Sequence, residues 1–551
     1  MRNASSRQSG AMYLCAMALL TVLLIFKVHF GLFHDEVYLL NSGKLALGPL
    51  HHFTQIWDYL QLEGYFQALF MGPYQAITGG YEGVLLYMRY VYVFIQLVLS
   101  VYTYFTTRLY WSERQAQAAS VAVYLYVFSF YSVQYKSIFY WTTLLTILLL
   151  LRWHYSGKEG YLVLSALILS GGVLCYPTLA IYIIPTTAFV WKYGNGNRKE
   201  IGIYWGICVA CAALFIFSVL KEMPLSTLAG IYTYMTGRAN HNFSGVPKRT
   251  AIVFAVFAVA GGTSFLFNKW KRLSGMFQDP YLFATAFTWL GLFVIISAKY
   301  QTASASRVWY IFVFLFAYLF LQRKDTLKTA AHADLIEALF YDWSLWALLA
   351  IDLATNQDLA IVAYGSVFGL IGAILVLSDE KDCNYIGAKP LVGSVLLILL
   401  CSTIFFVPDE NMMVESSHIF QKRETITSGA GKGLYVTAYT KDMYDVSDTI
   451  AQKYIDKSDK LMLIGDAFDY VIPLSSSAEE VAHLGNDAPF GGLRVRYCEM
   501  FPEWAPTVVA VKTDIIGDYD AWIDQSALGQ YLQAHYDTDH AVRFENWLII
   551  R

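Results

Sequence analysis

Apolar residues recur in uninterrupted runs of roughly 18 to 20 positions from Ala11 to about Val407. A run of that length crosses the roughly 30 Å hydrocarbon core of a bilayer as one helix. A helix is also a form in which a lipid-embedded chain satisfies its own backbone. The runs predict spans at roughly 11–30, 87–107, 116–134, 138–152, 161–175, 177–191, 201–220, 250–267, 281–298, 308–321, 334–354, 359–377 and 390–407, about thirteen in all. Past residue 407 no spanning run remains. There Gly433–Thr437, Lys460–Gly465 and Thr507–Lys512 read as strands, Asp445–Ile455 and Ser526–His535 as helices, and Ala541–Ile550 as a last strand. The fold class predicted is a polytopic α-helical membrane protein (residues 1–407) followed by a small C-terminal α/β domain (residues 408–551).

Two connections between spans are long, residues 31–86 and roughly 221–249. In the first, Glu36–Ala46 reads as a short amphipathic helix with Asp35 as its N-cap, broken by Gly48-Pro49. Gln55–Phe70 reads as a second, aromatic-rich helix. Such a pair predicts elements lying along the membrane surface.

Composition agrees with this pattern. The 551-residue chain is 56% hydrophobic and 15% charged, against about 25% charged in a soluble domain. Residues 408–551 hold 12 Lys/Arg and 23 Asp/Glu, against 27 and 19 before them, so the net charge of -3 hides a basic membrane part and an acidic tail. No basic tract with interleaved aromatics points to nucleic acid. The connections on the N-terminal side of the spans, with Arg2 and Arg7, carry 17 Lys/Arg. The opposite set carries about nine, so the positive-inside rule makes the first side cytoplasmic. An odd span count then puts the tail outside the cytoplasm. The first run leads into an acidic motif without a small-residue cleavage site and reads as a retained helix. Cys208 and Cys211 form a CxxC inside the run Ile201–Leu220, with no second pair, and read as core packing. The tail has one cysteine, Cys498, and so no internal disulfide.

The acidic motif is His34-Asp35-Glu36-Val37-Tyr38, just past the first run. Two carboxylates at a membrane face are costly unless they bind something or react. Asp35 also fits a plain helix cap. The cations on the same side are Arg89, Lys136, Arg238, Lys248, Arg249 and Arg307, each of which fits either a bound phosphate or a snorkelling headgroup contact. Arg89 fits a third role, pairing with Glu36 or Glu82 to shape the loop. Tyr38, Asp58, Glu63 and Asp352 are candidates for sugar or acceptor contact, and Asp342 lies deeper in the same span as Asp352. His51-His52 offers two metal ligands without an evident third, so no metal or other cofactor is expected. Ser428–Gly433 lacks the spacing of a phosphate-binding loop, and Asn242-Phe-Ser fits a glycosylation acceptor.

An acidic pair after the first span, two interfacial helices and then an Arg opening the second span resembles the plan of the GT-C glycosyltransferases. Protein O-mannosyltransferases and bacterial aminoarabinose transferases share it. The pieces that carry the resemblance are Asp35-Glu36 with Tyr38, Gly48-Pro49, Arg89, Gly171-Gly172-Val-Leu-Cys-Tyr-Pro177 and Lys432-Gly-Leu-Tyr. The likeness covers most of residues 11–191 and is weak from 200 onward. The chain departs from the plan at Gln134-Tyr-Lys-Ser, where several relatives carry an acid, and at Gln61-Leu-Glu-Gly, where Pro-Pro-Leu is common.

The resemblance implies a membrane enzyme of the cell envelope, bacterial in type. It would move a sugar from a polyprenyl-phosphate donor to a glycan, lipid or protein acceptor at the non-cytoplasmic face. Asp35 would be the base, its pKa raised by partial desolvation. Glu36 would position the acceptor or tune Asp35, and one displacement would invert the anomeric centre. Two alternatives stand beside it. A polysaccharide polymerase or O-antigen-ligase-like enzyme would use the loop 221–249. A lipid-linked-sugar transporter or flippase would show paired repeats, and none is visible.

Overall fold

The computed structural model describes residues 2–52, 55–57, 62–126, 131–194, 196–222, 224–226, 332–354, 367–378, 388–405, 407, 419–483 and 492–551. The expected spans 250–267, 281–298 and 308–321 lie outside the described residues, as do Asp58, Arg238, Asn242, Lys248, Arg249 and Arg307. The chain is mostly helical with a small C-terminal sheet. Its helical part runs α1 (Arg2–Lys27), α2 (His34–Leu45), α3 (Glu63–Thr78), α4 (Val84–Thr107), α5 (Glu113–Leu125), α6 (Tyr135–Ser156) and α7 (Glu159–Cys175). A 3-10 turn (Pro177–Tyr182) leads into α8 (Ile183–Tyr193), followed by α9 (Arg198–Glu222). A π-helical turn (Glu337–Tyr341) opens α10 (Asp342–Ala354), before α11 (Val367–Leu377) and α12 (Ala388–Phe405). Ser9–Lys27 within α1, all of α4 and all of α9 are long and apolar enough to cross a membrane.

Among the described residues two expected spans differ: 177–191 opens as the 3-10 turn Pro177–Tyr182 before α8, and 116–134 is broken. The apolar run 116–134 is not one helix, because α5 ends at Leu125. Two side chains from other helices take three carbonyls there. Gln96 Nε2 on α4 donates to Val123 O at 2.5 Å and Tyr126 O at 3.0 Å, and Thr403 Oγ1 on α12 donates to Leu125 O at 2.7 Å. A broken backbone is tolerated inside a bundle when neighbours satisfy it this way.

The tail begins with a two-stranded antiparallel ribbon, β1 (Glu424–Thr425) and β2 (Tyr435–Val436), and continues with α13 (Ala438–Lys453), capped by Thr437. A five-stranded sheet follows in the order β4-β3-β5-β7-β6. Its strands are β3 (Lys460–Ile464), β4 (Glu479–Glu480), β5 (Val508–Lys512), β6 (Val542–Phe544) and β7 (Trp547–Ile550). β3 is parallel to β4 and β5, with Leu461 opposite Val508, whereas β7 is antiparallel to β5 and β6. The expected last strand 541–550 is therefore a hairpin, turned at Glu545 with φ of 53°. The edge strand β4, two acidic residues long, carries no hydrophobic alternation from which to read it.

The tail is not a separate ball on a tether. Leu45, Leu50, Ile56 and Trp57 of the first long loop share one apolar core with Met462, Val509, Val511, Trp522 and Leu548 of the tail. Trp57 stands edge-on to Tyr497 at 5.4 Å. The ribbon pairs with the mouth of α1, where Tyr435 N donates to His29 O at 2.7 Å and Gly31 N to Tyr435 O at 2.8 Å. Ser428–Gly433 caps α4: Gly83 N donates to Gly429 O at 2.9 Å and Leu85 N to Ala430 O at 3.1 Å. Lys432 Nζ lies 2.9 Å from Glu82 Oε1.

Candidate functional site

The site begins where α1 ends. Residues 28–33 turn the chain back into α2, and Gly31 adopts φ of 80°, which favours glycine. The carbonyls exposed by that turn are collected by Arg89 on α4. Arg89 Nη1 donates to Val28 O at 2.7 Å and Phe30 O at 3.3 Å, and Nη2 donates to Gly31 O at 2.9 Å. Nε and Nη2 also grip Glu36 Oε1 and Oε2, at 2.7 and 2.5 Å. The five guanidinium hydrogens thus all have acceptors, and the side chains of Arg89 and Glu36 are 2% and 1% exposed. Of the roles read for Arg89, this geometry is the loop-shaping pair with Glu36.

Asp35 takes the opposite path. It is the second residue of α2, not its cap: the N-cap is Phe33, which makes no side-chain cap bond. A carboxylate in the first turn still suits the helix dipole. Asp35 Oδ1 lies 3.2 Å from His34 Nε2, and Oδ2 accepts from Lys136 Nζ at 3.4 Å. The side chain of Asp35 is 33% exposed and that of Lys136 12%. The expected rise in the Asp35 pKa is corrected here. Burial does push it up, but the His34 hydrogen bond and the charges of Lys136 and His34 outweigh that and hold it at about 2.

Lys136 is the second residue of α6, a helix end that repels a cation. Glu63, fully buried at the start of α3, offsets this by accepting from Tyr135 N. Glu63 therefore serves the start of α6. The Lys136 amine sits 5.4 Å from the centre of the Tyr135 ring, and that ring stacks on Tyr176 at 5.6 Å with 9° between planes. Tyr176 stands between the end of α7, within which Gly171 and Gly172 are helical, and the 3-10 turn that Pro177 opens. A Cβ on Gly172 would meet Thr142 Oγ1 at 2.7 Å, so glycine lets α7 approach α6 closely there. Sequence reasoning gave no role to His34, Tyr135 or Tyr176. The Tyr-Pro step and the residue before Asp35 were their only marks.

Tyr38 faces the tail, in edge contact with Tyr470 at 4.9 Å and stacked on His483 at 5.6 Å. One turn on, Asn41 donates to Glu480, and Glu480 Oε1 lies 2.8 Å from His483 Nδ1. Lys44 Nζ donates to three tail carbonyls, Pro473 at 2.5 Å and Ser476 and Ala478 at 2.9 Å each. Asp352 lies in α10, and Asp342 is that helix's first residue. His51 Nδ1 is 3.9 Å from Glu222 Oε2, while His52 packs on Tyr65 at 4.4 Å, its pKa pushed down to about 4 chiefly by burial. Among the described residues no three metal-ligating side chains converge. Cys208 and Cys211 are free thiols on α9.

The arrangement sets one ionised carboxylate, one imidazole and one ammonium together just past the C-terminal end of α1, beside two stacked tyrosines. No family model and no curated protein matches the chain. Among solved structures it is similar to ArnT from Cupriavidus metallidurans bound to undecaprenyl phosphate, with 9% identity over 98% of this chain and 97% of that one and a TM-score of 0.49. It is also similar to the Archaeoglobus fulgidus oligosaccharyltransferase tethered with an acceptor peptide, with 12% identity over 94% and 71% of the two chains and a TM-score of 0.47. A third likeness is to the oligosaccharyltransferase AglB from Archaeoglobus fulgidus in complex with an inhibitory peptide and a dolichol-phosphate, with 11% identity over 97% and 74% and a TM-score of 0.44. All three likenesses lie at 12% identity or less and at TM-scores below 0.5.

Proposed function

We propose that this protein is a membrane glycosyltransferase. It moves a sugar from a polyprenyl-phosphate donor to an envelope glycan, lipid or protein at the non-cytoplasmic face. The observation that carries the reading is the contact of Asp35 Oδ2 with Lys136 Nζ at 3.4 Å, at the mouth of the first apolar helix. Transfer from a sugar phosphate needs a base for the acceptor hydroxyl and a cation for the leaving phosphate, and no acid. Asp35 serves the base and Lys136 the phosphate, with Arg238, Lys248, Arg249 and Arg307 as further phosphate candidates. One displacement inverts the anomeric carbon. The GT-C resemblance of residues 11–191 supports the same reaction.

In this reading residues 1–407 form the catalytic membrane domain with about thirteen spans and a cytoplasmic N-terminus. Residues 408–551 form the extracytoplasmic domain over the site. Glu36 acts through Arg89, and Tyr38 through the tail. The test incubates the purified protein with a panel of polyprenyl-phosphate monosaccharides. Consumption of one is expected. Consumption of none, where a GT-C enzyme run alongside consumes its own donor, would sink the proposal.

A further inference from the structure

The ribbon β1–β2 is held at the edge of the bilayer by its own contacts. Ser9–Lys27 of α1 and all of α4 are long and apolar enough to cross a membrane. On these helices Val22, Phe26, Phe94 and Val98 are exposed, so in a bilayer they meet lipid. One turn nearer the shared end of the two helices, Phe30 stands edge-on to Phe26 at 5.0 Å, and the Tyr90 hydroxyl lies 2.7 Å from His29 Nε2. Tyr435 of β2 lies against both His29 and Phe30, with ring centres 5.7 and 5.4 Å away. The ribbon thus sits directly past the lipid-facing rings of α1 and α4. The chain entering β1 is Phe420-Gln421-Lys422-Arg423, and Arg423 stands over the Phe30 ring at 5.9 Å. Phe420 is 75% exposed and Lys422 is exposed beside it. A bare phenylalanine is out of place in water but belongs at the level of lipid headgroups, where aromatic rings gather. Charge points the same way. The tail holds 23 Asp/Glu against 12 Lys/Arg, yet residues 419–423 carry two cations and no acid, with Glu424 as the next charge. The corner that meets the bilayer is therefore basic within an acidic domain, which fits a membrane face bearing negative headgroups.

We infer that Phe420–Arg423 is a lipid-binding corner, in which the Phe420 ring enters the interfacial layer of the bilayer and Lys422 holds the phosphate of an anionic phospholipid. The Lys422 stem lies along the apolar layer while its ammonium stays among the headgroups. The contact fastens the tail to the membrane as well as to the first loop. It goes beyond the glycosyl-transfer reading and does not depend on it, since it needs only that α1 and α4 span the bilayer.

The experiment reconstitutes the purified full-length protein into phosphatidylcholine bilayers with increasing phosphatidylglycerol. It compares wild type, Phe420→Trp and the double variant Phe420→Trp/Lys422→Gln, all of which should melt alike because both side chains are exposed. The emission gained over wild type reports on position 420. Lipids brominated high on their acyl chains should quench it, and phosphatidylglycerol should increase the quenching. The double variant should need about fivefold more phosphatidylglycerol for the same effect, as expected for one lysine at a charged surface. Gained emission that brominated lipid leaves unquenched would put Phe420 in water or against a protein partner and overturn the inference. Quenching that does not respond to phosphatidylglycerol, or responds equally in both variants, would overturn the phosphate contact and with it the site. Failure of every donor to be consumed would sink the transfer reading and leave this result untouched.

Discussion

Asp35 and Glu36 are neighbours in sequence with opposite surroundings, and this separates their consequences. Glu36 and Arg89 form a closed, buried pair, so Arg89→Met leaves one charge without its partner. Breaking such a pair costs about 3–5 kcal/mol. A lower thermal midpoint in detergent, well below that of Lys136→Met, checks it. Lys136→Met should keep the fold and weaken donor binding, read as a higher Kd for undecaprenyl phosphate. Asp35 makes a pH prediction. Its folded pKa of about 2 lies below the ordinary 3.8, so its contribution to stability is full above about pH 4 and is lost as pH falls toward 2. The thermal midpoint of wild type should therefore drop across that window more than that of Asp35→Asn; equal drops would contradict the account. The acidic pair was legible in the sequence because charge is rare at a membrane mouth. The division of labour within it was not. It depends on Arg89 and Lys136, 53 and 101 residues away, and on three loop carbonyls that no side-chain pattern encodes.

The two loop helices hold the site only if they cross closely. A Cβ on Gly64 of α3 would lie 2.8 Å from the Ser42 carbonyl carbon on α2, and one on Gly43 would lie 2.8 Å from Gln67 Cβ. Gly64→Ala meets backbone that cannot yield, so a loss of about 1–3 kcal/mol is expected from overpacking. Gly72→Ala, which would meet the flexible end of Leu47 at 3.2 Å, should cost less. Thermal melts of the two variants compare them, and equal midpoints would count against this crossing. That the loop holds two helices was legible from its periodicity, but their bounds were not. The second was expected over 55–70 and is observed as Glu63–Thr78, because Gly79 in the left-handed region ends it and buried Glu63 begins it. Likewise, the run 116–134 looked continuous because Gln96 and Thr403, which permit its break at Leu125, lie on other helices.

At the scale of the whole molecule, the tail and the first loop form one body at one end of the helices. Lys44 is the central tie, since its ammonium serves three tail carbonyls at once. Lys44→Met removes all three bonds, each buried carbonyl then costing about 1–3 kcal/mol. The tail should become sensitive to limited proteolysis while α4 and α6 stay protected. Unchanged digestion would contradict a docked tail. The split into an apolar helical part and an acidic α/β tail was plain in the sequence, because hydropathy and charge both change near residue 407. The docking was not, since Leu45, Leu50 and Trp57 looked like interfacial residues until the tail covered them. The most direct test of the central claim measures donor turnover and donor binding together in wild type and Asp35→Asn. The account predicts that Asp35→Asn binds the polyprenyl-phosphate sugar as wild type does and transfers none of it. Transfer at the wild-type rate in Asp35→Asn would contradict it.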